Sequence, residues 1–285
     1  MVYRIASRLA IALTAASALA SATFILAQTL SETKGTAPLA FDVISVKPSQ
    51  PGSPGVGIQP MSSGQGYRVG GVPVRLMIKL MYKITDSQIV GGPKWMDTDQ
   101  WDIEAKAEHA STLDQLHEMF QSMLADRFQL KFHQEKREIS AYVLSVDKSG
   151  SKLKQNDGPD TFEIPIRGAG RAVVGPGGIT LKILGVRAPM VYFTWWLSQQ
   201  LSDVPVVDQT GLDRFYDFTL EYQRELPPGF AERAGEATAP AGADGVPAGA
   251  PLDVALREQL GLKLEKRKAQ ADVFVIDRLE KPGAN

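Results

Sequence analysis

The strongest constraint on this chain is that it repeats itself. Phe128-Gln129-Leu130-Lys131-Phe132 lines up with Leu260-Gly261-Leu262-Lys263-Leu264. Ten residues on, Tyr142-Val143-Leu144 meets Phe274-Val275-Ile276 without a gap. Trp101-Asp102-Ile103 likewise matches Tyr216-Asp217-Phe218. Around these strings the same order of elements can be read twice. Pro73 opens a helix whose apolar residues Leu76, Met77, Leu80, Met81 and Ile84 fall at helical spacing. Pro189 opens another through Trp195, Trp196, Leu197 and Leu201. Each is followed by a short apolar strand and a turn, then by a strand, a second helix and two closing strands. In the first half these are Trp101 to Ala107, a helix over Leu113, Leu116, Phe120, Met123 and Leu124, and strands at Gln129–His133 and Ile139–Val146. Ser111 with Asp114 three positions on resembles a capping box for that helix. In the second half they are Tyr216–Tyr222, a helix over Leu252–Leu260, and strands at Gly261–Leu264 and Asp272–Ile276. The pattern predicts an α+β fold: two tandem copies of a small helix–strand–helix–hairpin unit with mostly antiparallel sheets.

The boundaries follow from composition. Residues 41–148 form the first repeat, opened by the alternating strand Phe41–Pro48, which Pro48 stops. Residues 49–66 read as loop, and 149–178, rich in Gly and Pro, as the segment joining the copies. Residues 179–285 form the second repeat. It is interrupted at 226–251 by a Pro-, Gly- and Ala-rich insertion with few large apolar residues, expected to be mobile.

The N-terminus predicts export. Arg4 and Arg8 precede an uncharged run, Leu9 to Ala27, rich in Ala, Leu and Ile, with small-residue cleavage patterns at Ala18-Leu19-Ala20 and Ala20-Ser21-Ala22. Residues 1–27 are therefore read as a signal peptide and 28–40 as a flexible lead-in, which places the protein in the periplasm or outside the cell. A membrane anchor is the alternative, since the run is nearly long enough to span a bilayer. The chain has no cysteine among its 285 residues, so thiol nucleophiles, thiolate metal sites and disulfides are excluded. A formal net charge of -1 gives no basic excess to neutralise phosphates, which argues against a nucleic-acid partner.

Few residues suggest chemistry. Asp208-Gln209-Thr210-Gly211 resembles the phosphorylated string of transport ATPases, but Gln209 stands where a lysine is needed and no phosphate-binding loop is present. A tight turn, with Asp208 bonding backbone N–H groups and Gly211 at positive φ, is the simpler reading. Gly92, Pro93 and Trp95 read as a second structural turn. His133, Glu135 and Arg137 share one face of a strand end. They could orient a base, yet a solvated ion-paired face is the plainer account. His109 and His117 lack a metal-ligand spacing, and neither metal nor cofactor is expected. Tyr192, Phe193, Trp195 and Trp196 make a dense aromatic cluster, either a helix buried between two units or a stacking and docking surface. Tyr192, Trp195, Trp196 and His133 are thus the candidate binding residues.

Four stretches carry a family resemblance. They are Phe41-Asp42-Val43-Ile44-Ser45-Val46-Lys47-Pro48-Ser49, Gly91-Gly92-Pro93-Lys94-Trp95, the string from Leu124 to His133, and Val206-Val207-Asp208-Gln209-Thr210-Gly211-Leu212. Together they resemble the soil-associated protein family, secreted bacterial proteins containing a domain of unknown function. The resemblance implies an exported module and carries over no catalytic residue. Related modules also occur behind membrane metallopeptidase domains of the antibiotic-sensor type. Residues 251–264 further resemble the short N-terminal domains of secretins and TonB-dependent receptors, which bind envelope proteins.

The expected function is therefore an exported, non-catalytic binding or assembly module for an envelope protein or other ligand, meeting the membrane only if its leader is retained. The alternatives are an extracytoplasmic hydrolase, which would need Asp102, His133, Asp208 and Asp217 to converge in one pocket, and an accessory to a membrane sensor or protease. Intact mass of the expressed protein should show a chain beginning after one of the small-residue sites up to Ala27. Recovery of the envelope form with Met1 still attached would overturn the cleaved leader.

Overall fold

The structure, a computed structural model, describes residues 39–50, 55, 57–175, 178–225 and 249–283. The leader, most of the lead-in and residues 226–248 of the insertion lie outside the described residues. The fold is α+β with mostly antiparallel sheets.

In the first half, strands β1 (Val43–Pro48), β2 (Gly57–Pro60), β3 (Gly66–Pro73) and β5 (Gln100–Lys106) form an antiparallel sheet in the order β1-β5-β3-β2. Helices α1 (Val74–Tyr82) and α3 (Leu113–Arg127) supply its core, with Met77, Met81, Leu116 and Phe120 fully buried. Between them lie β4 (Ile89–Gly91) and the single turn α2 (Trp95–Thr98), and β6 (Lys131–Val146) follows. The second half is β7 (Lys154–Gln155), β8 (Ile166–Gly168), β9 (Val173–Gly175), β10 (Gly178–Pro189), α4 (Met190–Gln200), β11 (Val206–Asp208), β12 (Phe215–Arg224), α5 (Leu252–Ala255) with a wider turn to Leu260, and β13 (Leu262–Arg278). Its sheet has the order β7-β12-β10-β8, with β9 also on β10.

Local features recur between the halves. Pro73 and Pro189 each precede a helix in extended conformation, where a missing N–H costs nothing. The strand leading into each proline carries a bulge, between Val69 and Val72 in β3 and between Gly185 and Ala188 in β10. An aspartate on the neighbouring strand holds each bulge. The Gly71 N–H donates to Asp102 Oδ1 at 2.9 Å, and the Arg187 N–H donates to Asp217 Oδ1 at 2.9 Å. Each of these strands starts on a glycine at φ +150° or +154°, Gly66 and Gly178. A Cβ there would lie 1.9 Å from the Ala105 carbonyl oxygen or 2.3 Å from that of Arg224.

Three expectations are corrected. The two closing strands of each half are single strands, β6 and β13, and the hairpins predicted within the halves do not form. Residues 134–138 contain no Gly, Pro or Asn to make a turn. Instead β6 and β13 pair with each other along their length, from Leu262 opposite Val146 to Ile276 opposite Phe132. The polar stretch is matched across that ribbon, with Lys136 Nζ 2.7 Å from Asp272. Next, residues 49–66 and 149–178 are not only loop: they hold β2 and β7–β9, which complete the two sheets. Finally, the capping box belongs to Thr112 and Gln115. Gln115 N–H donates to Thr112 Oγ1 at 3.2 Å, and Thr112 N–H donates to Gln115 Oε1 at 2.9 Å. Gln115 is long enough to reach back, whereas Asp114 meets Lys83.

The third sheet ties the halves together. β4 runs parallel to β13, with Ile89 opposite Phe274, and β11 runs parallel to β6, with Val206 opposite Tyr142. The short strand of each half therefore lies on the long strand of the other. From Leu39 onward the chain is one compact unit. Gly66→Ala and Gly178→Ala should each lower the urea unfolding free energy by about 2 kcal/mol or more. Gly57→Ala, at positive φ but with no atom within 4 Å of its Cβ, should cost about 1 kcal/mol.

Candidate functional site

Helix α4 is where the second half reaches the first: Tyr192 packs against the cores of both halves. Beneath it lies a cavity of about 150 Å³. Its apolar wall comes from Ile58 and Pro60 of β2, Leu80 of α1, Leu113 of α3 and Ile164. Its polar groups come from Tyr67 of β3, His117 of α3, and Tyr192 and Trp195 of α4.

The sequence accounts for this placement. His117 follows Leu113 by one helical turn, so it falls on the buried face of α3. The capping box anchors that helix at Thr112, directly before the cavity wall. Tyr67 stands one residue after the glycine that opens β3, facing the core, and its ring stacks on His117 with centroids 6.1 Å apart. Phe120 meets the same tyrosine edge-on at 5.4 Å. Tyr192 and Trp195 are three apart on α4 and therefore share a face.

Lys83 controls the state of the histidine. It leaves α1 in left-handed conformation, φ 54°, with its side chain only 11% exposed. Its Nζ lies 3.0 Å from His117 Nδ1 and 3.2 Å from Asp114 Oδ1. An ammonium has only protons to give, so Nδ1 accepts and the imidazole proton sits on Nε2. Burial, reinforced by the Lys83 charge, pushes the His117 pKa down to about 3. The ring is therefore neutral at ordinary pH and presents Nε2–H as a donor. Burial raises the Tyr67 hydroxyl well above its usual range and pushes Tyr192 up to about 12, so both stay protonated.

Four polar groups of the cavity wall are without a hydrogen-bond partner among the described residues. They are the Tyr67 and Tyr192 hydroxyls, His117 Nε2 and the buried Trp195 Nε1. A buried polar group left unmatched costs about 1–3 kcal/mol, which applies to Trp195 Nε1; the other three belong to residues lining one largely apolar hollow, where a bound group can complete their bonding.

The other residues singled out by sequence are dispersed. Trp196 stacks on Phe193 at 6.0 Å and meets Tyr222 edge-on, within the second core. His133 stands exposed on the ribbon, with Nδ1 2.8 Å from Asp277 and Nε2 3.2 Å from Glu135. Glu135 and Asp277 raise its pKa. Asp208 accepts from the Thr210 N–H at 2.8 Å and the Thr210 hydroxyl at 2.7 Å, with Gly211 following at φ +69°. Gly92 has φ +87°, and a Cβ there would strike the Met96 sulfur. The Pro93 carbonyl accepts from the Met96 N–H, and Trp95 packs against the first core under the Lys281 ammonium. Asp102 and Asp217 hold their bulges in separate sheets. Asp102, His133, Asp208 and Asp217 make no hydrogen bond to one another. Among the described residues, no group of three acidic or histidine side chains is placed to hold a metal ion.

Sequence reasoning reached Tyr192 and Trp195 but missed Tyr67, His117 and Lys83. The available signal was a single histidine on the apolar face of an amphipathic helix.

Wider grooves surround the cavity. One of about 370 Å³ shares Trp195 as a wall and includes Lys136, Asp208 and Asp272. Another of about 640 Å³ runs between residues 110–115 and the Arg187–Asp160 ion pair, whose atoms are 2.6 Å apart. In both, the charged groups are already paired with neighbours or lie open to water.

The chain belongs to the family described as Protein of unknown function (DUF3738), whose pattern matches residues 75–279. No curated protein and no solved structure matches it.

His117 gives the site a measurable signature. Its folded pKa lies below the unfolded value of about 6.5, so its contribution to stability is present above that value and is lost as pH falls toward 3. Unfolding free energy should therefore decline between pH 6.5 and 4.5, by up to about 1.4 kcal/mol per pH unit. His133 has the opposite sign, and its contribution changes only above about 6.5, so it leaves this window clear. Urea titrations of His117→Gln should show the decline removed. An unchanged slope would mean that His117 is not held neutral.

Proposed function

We propose that this protein is an exported binding module without catalytic activity, and that its ligand seats in the cavity between α1, α3 and α4. The observation that carries the reading is the set of three unmatched hydrogen-bonding groups, the Tyr67 and Tyr192 hydroxyls and His117 Nε2, on residues lining an otherwise apolar hollow. Ligand sites are commonly apolar hollows with a few convergent polar groups. Export rests on the charged, then apolar, then small-residue pattern of residues 1–27, and the family resemblance adds to it.

The geometry also weakens the hydrolase alternative. That reading needs carboxylates and a histidine in one place, and the four named for it are occupied separately in two bulges, a turn and a surface ribbon.

A cavity of this size accommodates a ring of benzene's dimensions. Small cyclic probes should therefore raise the melting temperature, and a probe present at a hundredfold over its dissociation constant stabilises by about 2.7 kcal/mol. Ile58→Trp, on an edge strand at the rim, should plug the hollow and abolish the response while leaving the unliganded protein folded. If the plugged variant responds as the native chain does, the ligand seat lies elsewhere.

A further inference from the structure

Building on that seat, we propose that the cavity selects an uncharged cyclic carbonyl compound — a ketone, ester or lactone — whose oxygen is received by His117 Nε2–H and the hydroxyls of Tyr67 and Tyr192. The first support is the chain Asp114–Lys83–His117. Its two contacts, 3.2 Å and 3.0 Å, leave the histidine no choice of tautomer, so its free nitrogen is a donor. A carbonyl oxygen, with two lone pairs, can accept from more than one such donor.

The second support is charge. No Asp, Glu, Lys or Arg lines this cavity. The nearest charges, Lys83 and Asp114, are paired with each other behind the histidine. A cation would enter with no counter-charge, and an anion would give up its hydration to neutral dipoles alone, which costs several kcal/mol. A neutral acceptor meets neither penalty. The third support is shape: Leu80, Leu113 and Ile58 leave room for one ring and its oxygen, with Ile164, 41% exposed, at the entrance.

Calorimetric titration of the full chain with probes of one shape tests this. Cyclohexanone should bind at least tenfold more tightly than methylenecyclohexane, which replaces only the oxygen. Cyclohexylammonium and cyclohexanecarboxylate should show no binding at millimolar concentration. Tyr67→Phe and Tyr192→Phe should each reduce the ketone's advantage several-fold and leave methylenecyclohexane unchanged, which a merely structural role would not do. Nitrogen-15 spectra should show His117 neutral and protonated at Nε2 at pH 7. Equal binding of ketone and hydrocarbon, binding of the ammonium, or an Nδ1–H tautomer would overturn the carbonyl assignment while leaving the cavity as a seat. If no probe binds and Ile58→Trp changes nothing, the seat itself fails and the assignment falls with it.

Discussion

The pairing of β6 with β13 is the interaction on which the rest of the molecule depends. It is the longest ladder in the described structure, and both halves of the chain contribute to it equally. Its register places Phe132 opposite Ile276 and Leu144 opposite Leu264, pairs that exchange with one another when the matched strings of the two halves are interchanged. One end of the ribbon feeds the first core through Phe132 and Phe274, which gather around Tyr82. The other end feeds the second core through Leu144 and Leu262. Between them Ala141, Val143 and Ala269 form a small cluster with Val207. A slip of one residue would turn each of these side chains to the opposite face. The same ribbon accepts β4 and β11 in parallel, so neither half completes its share of this sheet without the other.

That interlocking explains why a cavity can persist at the junction. Its walls come from β2, β3, α1 and α3 of one half and α4 of the other, and a hollow between loosely joined modules would close by sliding. Here α4 is held at its start by Pro189 and at its end by β11, which is bonded to the first half's long strand. Lys83 adds a local cost. A lysine in left-handed conformation is disfavoured by about 1 kcal/mol or more, yet that turn brings its ammonium to His117 and Asp114. Backbone strain, a desolvated lysine and a neutral buried histidine meet at one spot, and packing alone asks for none of them.

Much of the secondary structure was legible in the sequence. Pro73 and Pro189 announced their helices, Gly92 and Gly211 their turns, and the matched strings at 128–132 and 260–264 the common ending of both halves. What was not legible had physical causes. A charged run such as Gln134 to Glu138 looks like a break because nothing apolar continues the alternation. Its partner strand, more than a hundred residues away, supplies the opposite charges that keep it extended. The capping box shifted by one residue because Asp114 had a tertiary partner that local spacing could not reveal. The candidate site was half visible. Tyr192 and Trp195 stand out as aromatics on a helix, whereas Tyr67 and His117 look like ordinary core residues until the unmatched hydrogen-bonding atoms are placed.

The state of His117 bears on what kind of site this is. A general base works best when its pKa lies near the operating pH. A histidine held down to about 3 by burial and a neighbouring ammonium is a weak proton acceptor. Burial is the larger cause and the Lys83 charge the smaller, and the Asp114 contact and the left-handed turn hold the ammonium where it is. The same arrangement that spoils the imidazole as a base improves it as a fixed donor, because the proton on Nε2 can be neither lost to Nδ1 nor joined by a second. A donor of fixed direction on an apolar wall discriminates by what the ligand's oxygen can accept. Recognition needs that property, and proton transfer would be hindered by it.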